Sequence, residues 1–169
     1  MTTRVVLSAG SNIGDSRGHL QAVVDAVGAD LIAASAVYST PPWGGVDQDD
    51  FANITLIAEG SRTPRQWLEF CWELERVADR VRNERWGPRT LDVDVVAAET
   101  DGEPVISDDD ELTLPHPRAS QRAFVLVPWL EIDPDATLWT ASGEQSVVEL
   151  VAALDADDVA AVRRLEATP

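Results

Sequence analysis

Two aspartates offer the clearest chemistry in this sequence. Asp92 and Asp94 stand in the stretch Arg85-Trp86-Gly87-Pro88-Arg89-Thr90-Leu91-Asp92-Val93-Asp94-Val95-Val96. Leu91, Val93 and Val95 alternate with Thr90, Asp92 and Asp94, the period-two pattern of a half-buried strand. That period sets both carboxylates on one face, with Cα atoms roughly 6–7 Å apart. Two like charges at that spacing ask for cations, and hard carboxylate oxygens suit Mg²⁺. Nearby, Arg76, Arg80, Arg82, Arg85 and Arg89 face only Asp79 and Glu84, so a segment of local charge +3 sits in a chain of net charge −17. The planar guanidinium fork binds phosphate bidentately. Carboxylates for metal beside arginines for phosphate suggest phosphoryl chemistry on a nucleotide. Taken alone, the arginine island fits equally well a helix surface paired with Glu73, Glu75 and Asp79.

Composition narrows the classes further. All thirteen basic residues are arginine. The absence of lysine excludes a Walker-type P-loop, whose lysine reaches the phosphates, and any lysine Schiff base. A chain this acidic is a poor partner for nucleic acid or an anionic membrane. No apolar run approaches the roughly 18 residues of a membrane span, and the N-terminus lacks a basic-then-apolar leader. A soluble, cytoplasmic protein is expected. Cys71 is the single cysteine. It therefore forms no internal disulfide or cysteine metal site, and its apolar neighbours place it in a core. The run Asp108-Asp109-Asp110-Glu111 reads as solvated acidic surface, with a calcium-type site as the alternative. A length of 169 residues predicts one domain, residues 1–169.

The elements that must position the aspartates follow from periodicity. Arg4–Ala9 reads as a strand and Gly10–Asp15 as a turn-rich loop, either a bare turn or one facing a ligand. Asp15 or Ser16 caps a helix with Leu20, Val23, Val24 and Val27 on its buried face, and Gly28 ends it. Leu31–Ser39 reads as a second strand and Phe51–Glu59 as a third, with Phe51, Asn53, Thr55 and Ile57 on one face. Asn53 there is either a structural asparagine or a ligand reader. Thr63-Pro64-Arg65-Gln66 is a capping box opening a helix that runs to about Arg80. Its stripe is Trp67, Phe70, Cys71, Leu74, Ala78 and Val81, and the tryptophans of this helix read as core. Glu75 and Arg80 stand off the stripe, towards an adjoining site. Residues 81–90 are a loop and 91–98 the fourth strand, followed by a hairpin turn at Asp101-Gly102. A short amphipathic segment runs through Arg122, Phe124 and Val127. Ser146 caps a helix to Leu154, Val159–Leu165 is a final strand, and His19 is an exposed helix position. The order strand, helix, strand, strand, helix, strand is the split β-α-β unit. It predicts an α+β protein of ferredoxin-like βαββαβ core, with an antiparallel-rich sheet, helices on one face and mobile active-site loops.

At this point the motifs resemble those of the 6-hydroxymethyl-7,8-dihydropterin pyrophosphokinase family of folate biosynthesis. Residues 85–94 resemble its central motif. Gly10-Ser11-Asn12, Thr40-Pro41-Pro42, Phe51-x-Asn53, and Leu114-Pro115-His116 followed by Arg122-x-Phe124 stand in the family's order. Five motifs in order are far more specific than any one, and they span about residues 4–140; the tail from about 141 carries none. The resemblance implies transfer of a diphosphate from the co-substrate ATP to the pterin's hydroxymethyl oxygen, giving AMP, with two Mg²⁺ held by Asp92 and Asp94. It implies that Arg80 and Arg89 hold phosphate oxygens and that Arg82 rides on a loop that closes over the site. It further implies that Glu75, Thr113, His116 and Arg122 contact ATP, while Thr40, Pro41, Pro42, Asn53, Trp86 and Phe124 form the pterin pocket. The implied partners are those two small molecules, with no nucleic acid or membrane, and the implied state is a monomer. The chain departs from the common family pattern at Trp72, where Gln is frequent, and at Glu111, where a basic residue is frequent. Two rival readings are a ferredoxin-like regulatory domain that binds a nucleotide without chemistry, and a metal-dependent phosphohydrolase using the same aspartates. The second would need an activated water, and no histidine base stands near them in the sequence.

Overall fold

Strand β1 (Thr3–Ser11) is the axis of the sheet in the computed structural model, which describes residues 1–42, 49–79 and 90–166. It pairs antiparallel along its whole length with β4 (Phe51–Gly60) on one side, and with β5 (Asp92–Thr100) on the other. β2 (Leu31–Ala34) and β3 (Val37–Thr40) both pair with the far edge of β4. The central order β3-β4-β1-β5 is the antiparallel split β-α-β arrangement, so the expected ferredoxin-like core is present. The expected single strand 31–39 is broken at Ser35-Ala36. There the Ser35 hydroxyl accepts the Thr55 amide at 3.0 Å and donates to the Ala36 carbonyl at 2.8 Å. A side chain has taken the place of a ladder partner, and the strand restarts beyond it.

Helix α1 (Ser16–Val27) starts where Asp15 accepts the Gly18 amide at 3.0 Å. It buries Leu20, Val23 and Val27 as the periodicity predicts. Helix α2 (Pro64–Asp79) opens with the predicted capping box. The Gln66 side chain accepts the Thr63 amide at 2.9 Å, and Thr63 Oγ1 accepts the Gln66 amide at 3.1 Å. Both helices pack on Val5, Leu7, Ile54, Leu56, Val93 and Val95, one face of the sheet, where Trp67 and Cys71 are fully buried.

The expectation that helices cover only that face does not hold. Helix α3 (Ala123–Ile132) packs on the opposite face through Val125, Leu126 and Trp129 against Val6, Ile57 and Val96. Its sequence, Ala-Phe-Val-Leu-Val-Pro-Trp-Leu-Glu-Ile, is apolar nearly all round rather than amphipathic. Such a helix needs cover on two sides. The sheet is one, and the other is a C-terminal layer of β9 (Thr137–Thr140), β10 (Gly143–Ser146) and α4 (Val147–Ala153), whose Ser146 cap is as predicted. The expected last strand is half helix: α5 (Ala156–Ala160) precedes β11 (Arg163–Glu166), which extends the sheet beyond β3.

α3 covers only half of its sheet face. Val6, Ile57 and Val96 lie beneath it, whereas Ser8, Gly10, Asn53, Asp92 and Asp94 line an open cavity farther along the same face. A bulge between these halves leaves Val96 as an extra residue of β5, since Val6 pairs with Ala97 and Leu7 with Val95.

Candidate active site

The cavity encloses about 500 Å³, a volume typical of small-molecule sites. Its floor is sheet. Register puts Gly10 opposite both Asn53 and Asp92, and Ser8 opposite Asp94. Gly10 is required by packing, because a Cβ there would stand 2.7 Å from Asn53 Oδ1. Asn53 is 4% exposed, and its amide nitrogen donates to Thr40 Oγ1 at 2.7 Å. Its carbonyl end is thereby held at the cavity floor. Phe51 and Phe124 supply the aromatic walls, and Pro41 and Arg118 stand at the margin. Arg122 enters from the start of α3, with its guanidinium 3.4 Å from Asp94 Oδ2 and 5.5 Å over the Phe124 ring.

A second cleft of about 350 Å³ opens along the edge of β5. α2 forms one wall with Leu68, Trp72 and Glu75. The other is the hairpin of β7 (Ser107–Asp108) and β8 (Thr113–Leu114) with His116 and Pro117. Among the described residues, the sheet continues beyond β5 only as the two-residue β6 (Glu103–Pro104), which pairs with Glu99 and Thr100. The backbone of β5 near the aspartates is therefore an open edge, and side chains and loops answer it. The Val93 amide donates to Glu75 Oε1 at 2.7 Å, and the Val96 carbonyl accepts the His116 amide at 2.8 Å. Asp92 and Asp94 line the cavity and the cleft alike.

The junction concentrates negative charge. Burial, with Asp92 and Asp94 alongside, pushes the Glu75 carboxyl up to about 7 against the lowering pull of the Val93 amide. The Asp92–Asp94 pair within the junction favours a divalent cation. Mg²⁺ is commonly held by one or two carboxylates plus substrate phosphates and water. Among the described residues no three His, Cys, Asp or Glu side chains group into a complete protein cage. Asp92 and Asp94 therefore fit a metal whose shell a phosphate substrate completes. Burial, then the neighbouring Arg122 and Arg118, lower the pKa of His116 against an opposing pull from Asp92. Its Nδ1 accepts the Arg118 amide at 3.1 Å, so the neutral ring carries its proton on Nε2, a donor for a ligand in the cleft.

The structure brings together most of the residues singled out in the sequence. Thr40, Pro41, Asn53 and Phe124 share the cavity, and Glu75, Thr113 and His116 share the cleft. Arg122, expected to contact ATP, lines the cavity and pairs with Asp94, which borders both cavity and cleft. Pro42 is half-buried and outside both linings. Arg80, Arg82, Trp86 and Arg89 lie outside the described residues, as does nearly all of the loop 81–90. Arg76 of the arginine island pairs with Glu73 on the helix surface at 2.8 Å, the plainer of its two readings.

Other positions need correction. Gly10 and Ser11 belong to β1 rather than to a loop. Asn12 is tied to the Asp49 carbonyl at 3.4 Å, and the Ser11 hydroxyl reaches Nδ1 of a half-buried His19 at 3.3 Å. Trp67 is core as expected, but Trp72 is 40% exposed in the cleft. Five residues on from Trp67, it points about 140° away from it around the helix. Ser8 and Gln121 also line the cavity. Ser8 had a signal, since it alternates with Val5, Leu7 and Ala9; Gln121, in a single 3₁₀ turn, had none.

A family model for 7,8-dihydro-6-hydroxymethylpterin-pyrophosphokinase (HPPK) matches residues 6–134. Relatives named 2-amino-4-hydroxy-6-hydroxymethyldihydropteridine pyrophosphokinase are similar almost end to end. The Mycobacterium tuberculosis protein is 48% identical over 167 residues, 95% of this chain and 89% of its own length. The Methylorubrum extorquens protein is 44% identical over 157 residues, 90% of this chain and 94% of its own. A crystal structure of Plasmodium falciparum HPPK-DHPS superposes on 90% of this chain with a TM-score of 0.62. This chain spans 45% of that longer one, and at 11% identity the likeness concerns the fold. Similarity this broad, under one name and across most of the sequence, means that the chain belongs to the 7,8-dihydro-6-hydroxymethylpterin-pyrophosphokinase family.

Proposed function

We infer that this protein is an ATP-dependent pyrophosphokinase of folate biosynthesis that transfers diphosphate to 6-hydroxymethyl-7,8-dihydropterin. The observation that carries the site reading is the shared position of Asp92 and Asp94, which line an aromatic cavity on one side and a polar cleft on the other. A two-substrate transfer needs such a junction, where acceptor and donor meet at the reacting atoms. The pterin occupies the cavity, its flat ring between Phe51 and Phe124 and its polar edge on Asn53, which Thr40 orients. ATP lies in the cleft, within reach of Glu75, Thr113 and the Nε2–H of His116. Its triphosphate runs towards the aspartates.

The hydroxymethyl oxygen attacks the β-phosphorus. The new O–P bond forms as the bond to the α,β-bridging oxygen breaks; AMP leaves with that oxygen, and the hydroxyl proton passes to water. Asp92 and Asp94 would hold two Mg²⁺, which when bound neutralise phosphate charge and fix its oxygens. The chain's own part is orientation and charge. Arg122 holds Asp94 in place at 3.4 Å. Arg80, Arg82 and Arg89 are assigned to the phosphate oxygens and Trp86 to the pterin on the strength of the family motif. The protein acts as a single-domain monomer in the cytoplasm. No described helix is long and apolar enough to cross a membrane.

Measuring AMP release from ATP with and without the hydroxymethyl-dihydropterin tests the reading. Pterin-dependent AMP formation is expected. Pterin-independent hydrolysis would indicate a phosphohydrolase, and binding without turnover a regulatory domain.

A further inference from the structure

Trp72 is a large aromatic side chain that folding leaves partly exposed. It is 40% exposed, whereas Trp67 and Trp129 are buried to within 3%. Its ring lines the cleft beside Leu68 and Leu112. The ring is also held from outside. Arg65, two turns earlier on α2, lies with its guanidinium carbon 5.3 Å over the Trp72 ring. That guanidinium is fixed in turn by two carboxylates, Glu69 on the same helix and Glu111 on the β7–β8 turn, each at 3.4 Å. The turn is itself closed, with Asp109 Oδ1 accepting the amides of Glu111 at 2.9 Å and Leu112 at 3.3 Å. The Arg65–Glu111 pair thus spans the outer mouth of the cleft from one wall to the other and pins an indole plane at its side.

We propose that Trp72 is the stacking plate for the base of the nucleotide, and that Arg65 and Glu111 form the clasp that sets its plane. This rests on the reading of the cleft as the nucleotide site. A flat π surface flanked by leucines recognises a nucleobase by its face, which every base possesses. A surface of this kind retains a nucleotide over a bare polyphosphate. The far end of the cleft, at Asp92 and Asp94, takes charged phosphate. The outer end is thereby left for the base.

The test compares Trp72→Ala and Trp72→Phe with the unaltered protein in steady-state turnover, and uses inorganic tripolyphosphate as an inhibitor that lacks a base. Trp72→Ala should raise the KM for ATP about tenfold, in the range that base–aromatic stacking supports. Trp72→Phe should recover most of that loss. The KM for the pterin, kcat and inhibition by tripolyphosphate should stay within about twofold. Glu111→Gln should raise the ATP KM about threefold, since it frees Arg65 without removing the ring. An unchanged ATP KM in Trp72→Ala would overturn the proposal, as would a matching loss of tripolyphosphate affinity. His116→Ala separates the two levels of the argument. If it raises the ATP KM while Trp72→Ala does not, stacking alone fails; if neither does, the cleft is not the nucleotide site and both readings fall.

Discussion

At the scale of single residues, Asp94 and Gly10 have opposite kinds of importance. Asp94 is needed for what its charge does. It lines both cavity and cleft and holds Arg122 at 3.4 Å. Asp94→Ala should lower turnover by about a hundredfold or more, as loss of preorganised electrostatic groups does. The far-ultraviolet circular dichroism should be unchanged, because the side chain is not core. Near-normal AMP release at saturating Mg²⁺ would contradict its assignment. Gly10 is needed for what it lacks. A methyl group would stand 2.7 Å from Asn53 Oδ1, so Gly10→Ala must displace the amide that Thr40 orients. A displacement costing ~1.4 kcal/mol is tenfold in affinity. The KM for the pterin should rise about tenfold with that for ATP little changed, and equal rises in both would show general distortion instead.

At the scale of elements, one carboxylate joins three of them. Glu131 on α3 accepts the Ala36 amide at 2.9 Å, the Tyr38 hydroxyl at 2.6 Å and Arg164 Nε at 3.3 Å. Helix α3, the β2–β3 break and the C-terminal strand are thereby pinned behind β3, which carries Thr40 into the cavity. Burial, and then the Glu131 hydrogen bond and charge, push the Tyr38 phenol up from 10.0 to about 12. A raised folded-state value means that the stability is complete below pH 10 and is lost as pH rises towards 12. Tyr38 is the single tyrosine in the chain. Its ionisation is therefore read directly by absorbance at 295 nm, and a midpoint near 12 with stability falling over pH 10–12 is expected. Tyr38→Phe should flatten that alkaline stability slope, and a midpoint near 10 in the folded protein would contradict the hydrogen bond to Glu131.

At the scale of the whole molecule, the sheet divides labour between its faces. One face is sealed by α1 and α2, and the other is half sealed by α3 and half open to substrate. Cys71 reports on the sealed side. It is fully buried, and burial pushes its thiol well above the usual range, with Glu75 and Asp94 adding to it. A thiol so placed reacts only when the structure opens. Labelling by a disulfide reagent should therefore be negligible in the native protein, and should rise along the same denaturant curve as the loss of circular dichroism. Rapid labelling without denaturant would show that the α2 face opens locally.

The sequence by itself determined the order of the core elements and the strand face that carries the aspartates. Period-two alternation set Asp92 and Asp94 on one strand face, the Thr63–Gln66 capping box started α2 where it does start, and the split β-α-β order held. These are local signals, carried by neighbours a few positions apart. Which faces were covered was beyond them. α3 was read as amphipathic, and only its burial between sheet and C-terminal layer placed helices on both faces and left the cavity at the uncovered end. Trp72 was read as core but is 40% exposed, and nothing in the sequence paired Arg122 with Asp94. In each case the deciding partner is distant in sequence: Glu111 across the cleft for Arg65 and Trp72, and Asp94 on β5 for Arg122. Only the antiparallel register of β5, β1 and β4 brings Asp92, Gly10 and Asn53 side by side. The strand pattern said that the aspartates share a face, while the tertiary structure decided that an aromatic cavity and a polar cleft meet at them.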